Sequence, residues 1–112
     1  MGSTTVTVTP ATLTSRHAYH LYTPLLRLEE LSVGRQQIVA AMEENIGVGI
    51  PYEPVHVQPF YRRTFADDDA SFPNASYIGE RTISLPLTAG MTEEDVSDVC
   101  TAVARILSYY TA

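Results

Sequence analysis

Tyr52, His56, Gln58, Tyr61, Arg62 and Arg63 fall within one short stretch stiffened by Pro51, Pro54 and Pro59. Together they supply a titratable imidazole, an amide, two phenols and two permanently charged guanidiniums, a set suited to holding a phosphate or a polyhydroxylated ligand. In an extended segment alternate residues share a side. Tyr52, His56 and Gln58 are therefore expected on one face, with Arg62 reaching in as a phosphate partner. The same residues also suit a second role, as anchors of an irregular surface loop with the tyrosines and Phe60 packed beneath it. Both readings stand on chemistry alone.

Other groups promise less. His17 and His20 are three apart, so on a strand they point to opposite faces, and no third or fourth ligand accompanies them; no metal site is expected. The run Asp67, Asp68, Asp69 lacks the alternating ligands and central glycine of a calcium loop and is expected to be a solvated acidic turn. Cys100, the only cysteine, falls on an apolar helical stripe and is expected to behave as a small buried hydrophobe. Neither glycine-rich phosphate-binding pattern, G-x-G-x-x-G or G-x-x-x-x-G-K, occurs.

The elements that must position these groups follow from periodicity. Thr5 to Thr9 alternates polar with β-branched apolar residues, which suits an edge strand or an ordered arm within residues 1–16. Residues 17–28 are aromatic and apolar at strand length, with Pro24 interrupting late. A helix is expected over residues 35–45, with Ile38, Ala41 and Met42 on its apolar face, Ser32 as N-cap and Gly47 as C-cap. Three prolines within nine residues predict a rigid loop over 52–63. Phe72-Pro73-Asn74-Ala75 can start a short helix, and residues 82–87 alternate like a strand. Thr92 and Asp95 resemble a capping box, and Val96, Val99, Cys100, Val103 and Leu107 form a stripe, so a helix is expected from about 92 to 109.

The chain has 112 residues, 45% hydrophobic and 18% charged, which suits one domain with one core. Seven basic against thirteen acidic residues leave a net charge of -6, poor chemistry for nucleic-acid binding. No run is long and apolar enough to span a membrane and no signal peptide is evident, so a cytoplasmic protein is expected. All seven basic residues are arginines; there is no lysine.

The order of residues resembles a known family. His17-Ala18-Tyr19-His20-Leu21-Tyr22, Arg35 opening a helix, Asn45-Ile46-Gly47-Val48-Gly49-Ile50, and Tyr52-x-Pro54-Val55-His56-x-Gln58-Pro59-x-Tyr61-Arg62 are similar to the C-terminal small domain of the DegT/DnrJ nucleotide-sugar aminotransferases. The likeness continues through Phe72-Pro73-x-Ala75, Ile83-Ser84-Leu85-Pro86-Leu87 and Gly90-Met91-Thr92-Glu93-Glu94-Asp95-Val96. Pro51 and Ser76 depart from the family, which often has His and an acidic residue there.

The resemblance implies an α+β part of a fold-type-I, pyridoxal-phosphate-dependent scaffold: a small, mainly antiparallel sheet with helices packed on it, spanning residues 17–112. It also implies that Tyr52, His56, Gln58, Tyr61 and Arg62 face the cleft near a nucleotide-sugar. In that family a lysine of the large domain holds the cofactor as a Schiff base. No cofactor is therefore expected on this chain alone, and pyridoxal phosphate only when it is joined to a lysine-bearing large domain. The resulting expectation is a non-catalytic domain or a binding and assembly module. Its partners would be a large aminotransferase domain or further copies of itself, with a nucleotide-sugar or other anionic small molecule as ligand. The alternative is a small stand-alone enzyme using His56 as acid or base.

Overall fold

The computed structural model describes residues 6–7, 14–66 and 68–112. Their architecture is mixed and mainly helical: strands β1 (Val6–Thr7) and β2 (Leu25–Leu26), then helices α1 (Arg35–Glu43), α2 (Pro59–Phe65), α3 (Pro73–Arg81) and α4 (Glu93–Tyr109). β1 pairs antiparallel with β2, Val6 opposite Leu26 and Thr7 opposite Leu25. The rest of the expected antiparallel sheet is reduced to isolated bridges, Tyr22 with Leu85, Leu25 with Thr82 and Gly49 with Ser84.

Two residues explain why 17–28 does not form the continuous strand expected. Tyr19 sits at φ 53°, the left-handed region, which breaks the extended path, and its N–H donates to Nδ1 of His17 at 2.7 Å. Pro24 has no N–H to give and only accepts, from Ile83 N at 3.2 Å. The alternation of 82–87 survives as the middle of this ladder. Leu85 N donates to Tyr22 O, while Gly49 and Ser84 exchange both backbone bonds.

Helix α1 starts at Arg35 as its pattern predicts and ends two residues early, at Glu43. Its N-cap is Gly34, without a side-chain cap, and its C-cap is Glu44. Ser32 instead donates its N–H and hydroxyl to Tyr110 O, at 2.7 and 3.0 Å. With Leu31 bridged to Thr111 and Ala112 N bonded to Glu30 O, this ties the last residues of the chain to the turn Leu28–Glu30.

Helix α4 begins as predicted: Thr92 Oγ1 accepts from Asp95 N at 3.1 Å and Asp95 Oδ2 accepts from Thr92 N at 2.8 Å, a reciprocal capping box. Its stripe, however, is buried over only part of its length. Leu107 lies in the core, Val99 and Val103 are half-buried, Val96 is exposed, and Cys100 is exposed rather than buried. At about 1.5 Å per residue, α4 runs roughly twice as far as the α1 helix it packs on, so α1 alone is too short to cover its whole stripe.

The core joins Leu26, Leu31, Ile38, Val39, Met42, Ile83 and Leu107, with Val103, Ile106 and Tyr110 packed against it. Neither α2 nor α3 contributes a buried side chain.

Candidate functional site

The prolines of residues 52–63 organise helix rather than preventing it. Pro54 precedes a 3-10 turn, Val55–Val57, and Pro59 occupies the first turn of α2, where its missing N–H costs nothing and its fixed φ already suits the helix. The stretch expected to be a rigid loop is therefore a turn followed by a helix. Gln58 ends the one and caps the other. Helix α2 stops at Ala66, in the left-handed conformation at φ 55° and ψ 24°.

A 3-10 turn rotates each residue by about 120° rather than the 180° of a strand, and this redistributes the expected ligand face. His56 turns inward and is buried, 7% exposed, while Tyr52 is 86% exposed. The amide of Gln58 donates to Glu53 Oε2 at 3.4 Å. Tyr52, His56 and Gln58 therefore do not share one face, whereas His56, Tyr61 and Arg62 do come together.

His56 Nε2 lies 3.2 Å from Asp69 Oδ1 and 3.1 Å from Ser76 Oγ. The Ser76 hydroxyl donates to the backbone carbonyl of Asp69 at 3.1 Å, so its oxygen is left to accept from the imidazole. One assignment satisfies the whole set: an Nε2–H shared between the Asp69 carboxylate and the Ser76 hydroxyl. Arg62 Nη2 stands 3.6 Å from the same carboxylate oxygen. Asp69 is thus no idle member of a solvated acidic turn. Asp68 is not idle either: its carboxylate accepts from Ser71 N and Oγ, both at 3.1 Å, capping the turn that carries Asp69.

Beside this clasp lies an open apolar hollow of about 290 Å³ lined by Val55, His56, Tyr61, Phe65, Phe72 and Ala75. Phe72 packs at a tilt on the imidazole, ring centroids 5.1 Å apart, and Tyr61 stacks on Phe65 at 6.1 Å. Two further contacts hold α3 against the rest. Gly79 lies so close to Pro54 that a Cβ would overlap the proline ring. The Arg35 guanidinium donates to the carbonyls of Gly79 and Thr82, at the negative end of the α3 dipole.

Asp69, Ser76 and Phe72 went unrecognised as partners of His56 because they lie 13 to 20 residues away, and nothing in local spacing links them. Among the described residues no group of three or more His, Cys, Asp or Glu is placed to hold a metal ion, and no helix is long and apolar enough to cross a membrane.

Residues 2–104 match the DegT/DnrJ/EryC1/StrS aminotransferase family. The chain belongs to that family. It is 42% identical over 94 residues to an uncharacterized protein of Methanocaldococcus jannaschii, covering 83% of this chain and 24% of that protein. It is 34% identical over 110 residues to the UDP-4-amino-4-deoxy-L-arabinose–oxoglutarate aminotransferase of Shewanella sediminis, covering 89% and 28%. Among solved structures, the aminotransferase TlmJ from Streptoalloteichus hindustanus superimposes with a TM-score of 0.75 at 19% identity, over 95% of this chain and 27% of that one. This DegT/DnrJ relative therefore spans about a quarter of the length of the proteins it matches.

The family is pyridoxal-phosphate-dependent, with the cofactor carried on a lysine as a Schiff base. This chain has no lysine, and the hollow beside His56 is walled mainly by apolar and aromatic side chains.

Proposed function

We propose that residues 17–112 act as a non-catalytic small domain of a sugar aminotransferase. In this reading the 3-10 turn and α2 supply one wall of a cleft for a nucleotide-linked sugar or a similar anionic ligand. The observation that carries the reading is a family match over nearly the whole of a chain that contains no lysine. Such a chain offers binding surface but no Schiff-base nitrogen on a side chain. Arg62, half-exposed beside Asp69, provides a planar donor suited to phosphate. Tyr61 adds a phenol next to it, and the clasp fixes His56 so that the wall keeps its shape.

The reading in which His56 acts as a catalytic acid or base finds less support. A serine activated by a histidine needs the carboxylate and the hydroxyl on opposite ring nitrogens; here both contact Nε2. That arrangement supports a role in holding the ring.

Titrating the chain with UDP and with a UDP-sugar, while following the His56 imidazole and Tyr61 ring signals by NMR, tests the proposal. Shifts that saturate and that are lost in Arg62→Ala are expected. Signals unmoved at millimolar nucleotide-sugar overturn the binding role. The same sample mixed with pyridoxal phosphate is expected to show no lysine-type aldimine absorption, and turnover of a keto-sugar nucleotide with glutamate would refute the non-catalytic assignment.

A further inference from the structure

Arg62 is the side chain of α2 best suited to an anionic ligand, and it already faces an anion of its own chain. Its Nη2 stands 3.6 Å from Asp69 Oδ1. Arg63, one residue further along α2, is turned about 100° around the helix, so the two guanidiniums do not leave it in one direction.

The partners of this pair are not held alike. Asp69 is fixed from three sides: its Oδ1 meets His56 Nε2 at 3.2 Å, its backbone carbonyl accepts from the Ser76 hydroxyl at 3.1 Å, and its turn is capped by the Asp68 carboxylate on Ser71. Arg62 touches it through one nitrogen only, beyond hydrogen-bond length, with 48% of its side chain exposed. The carboxylate therefore stays in place, and the guanidinium is the group that turns.

Magnitudes decide what an incoming phosphate meets. An ion pair this exposed gains little, whereas a phosphate offers the guanidinium fork two parallel charge-assisted hydrogen bonds at about 2.7–2.9 Å. The phosphate wins the guanidinium, yet it has to take it from Asp69 and then sit near a fixed negative charge.

We infer that Asp69 is the internal counter-ion of Arg62, an autoinhibitory contact that the phosphate of a ligand has to replace. Asp69 thereby holds the His56 ring and holds down the anion affinity of its neighbour. The inference rests on the nucleotide-sugar reading above, and adds to it a residue that works against binding. A carboxylate that only shaped the wall would weaken binding when removed; a counter-ion strengthens it.

Asp69→Asn tests that sign, because the amide keeps an oxygen to accept from His56 Nε2–H while losing the charge. Calorimetric titration with UDP is expected to show binding about three- to tenfold tighter than in the parent chain, and the Arg62 Nε signal in NMR spectra recorded without nucleotide is expected to move. Asp68→Asn removes an equal charge one residue away, from a carboxylate that contacts Ser71 rather than Arg62, and is expected to gain far less. In the parent chain, which needs no variant to fold, saturation with UDP is expected to move the Asp69 carboxyl carbon signal more than that of Asp68. Affinity unchanged or lowered in Asp69→Asn, an equal gain in Asp68→Asn, or an Asp69 signal unmoved by UDP overturns the inference and leaves UDP binding by the parent chain standing. Failure of both the parent chain and Asp69→Asn to bind UDP overturns the inference and the binding reading together.

Discussion

Around α1 and the C-terminal half of α4, seven apolar side chains are withdrawn from water, and the last residues of the chain close over them by backbone bonds to Glu30 and Ser32. Around α2 and α3 no helical side chain is buried, and what holds the helices is the His56–Asp69–Ser76 clasp, the Gly79–Pro54 contact and the Arg35 guanidinium. Burial scales with area and tolerates rearrangement. Hydrogen bonds fix geometry but add little net stability once water is counted. The first region is therefore held mainly by burial, while the second is shaped by a few polar contacts and leaves aromatic side chains exposed.

The largest expected effect lies in the first region. Met42→Ala, at a fully buried position, is expected to cost about 2–5 kcal/mol from lost burial and the cavity left behind. Urea unfolding measures it, and a loss below about 1 kcal/mol would break the distinction between a cored and a coreless half. His56→Ala is expected to cost about 1–3 kcal/mol, because the Asp69 and Ser76 groups lose their shared donor. Its signature is locality. Amide exchange should accelerate in α2 and α3 and stay unchanged in α1 and α4; equal acceleration everywhere would mean that the clasp supports the whole fold. The smallest effect is favourable. Ala66→Gly removes a Cβ from a left-handed C-cap and is expected to stabilise the chain by about 0.5–1 kcal/mol; thermal unfolding with no gain would show that the residue is not held at that φ in solution.

What could be read from the residues divides along the same line. The cap of α4 was legible because Thr92 and Asp95 interact across three positions, and the α1 stripe because Ile38 and Met42 recur at helical spacing. Pro73 at the start of α3 was legible for the same local reason. Pro59 was not: counted with Pro51 and Pro54 it signalled loop, although a proline in the first turn favours a helix as much as it ends one. Cys100 fits the α4 period as well as Leu107 does, yet it is exposed, because burial depends on what packs against the stripe and not on the period itself. The site suffered most. Strand alternation put Tyr52 and Gln58 beside His56, whereas the side chains that meet its imidazole come from Asp69 and Ser76, whose approach depends on two intervening turns.

Arg35 has a mechanical consequence beyond the carbonyls it satisfies. Its backbone belongs to α1 and its guanidinium grips the C-terminal end of α3, so that end is bolted to the core. The opposite end of α3 meets the imidazole of His56 through Ser76 and through the ring of Phe72. The helix is thus held at its two ends by different means, a guanidinium from the cored half at one and a hydrogen-bonded cluster of its own half at the other.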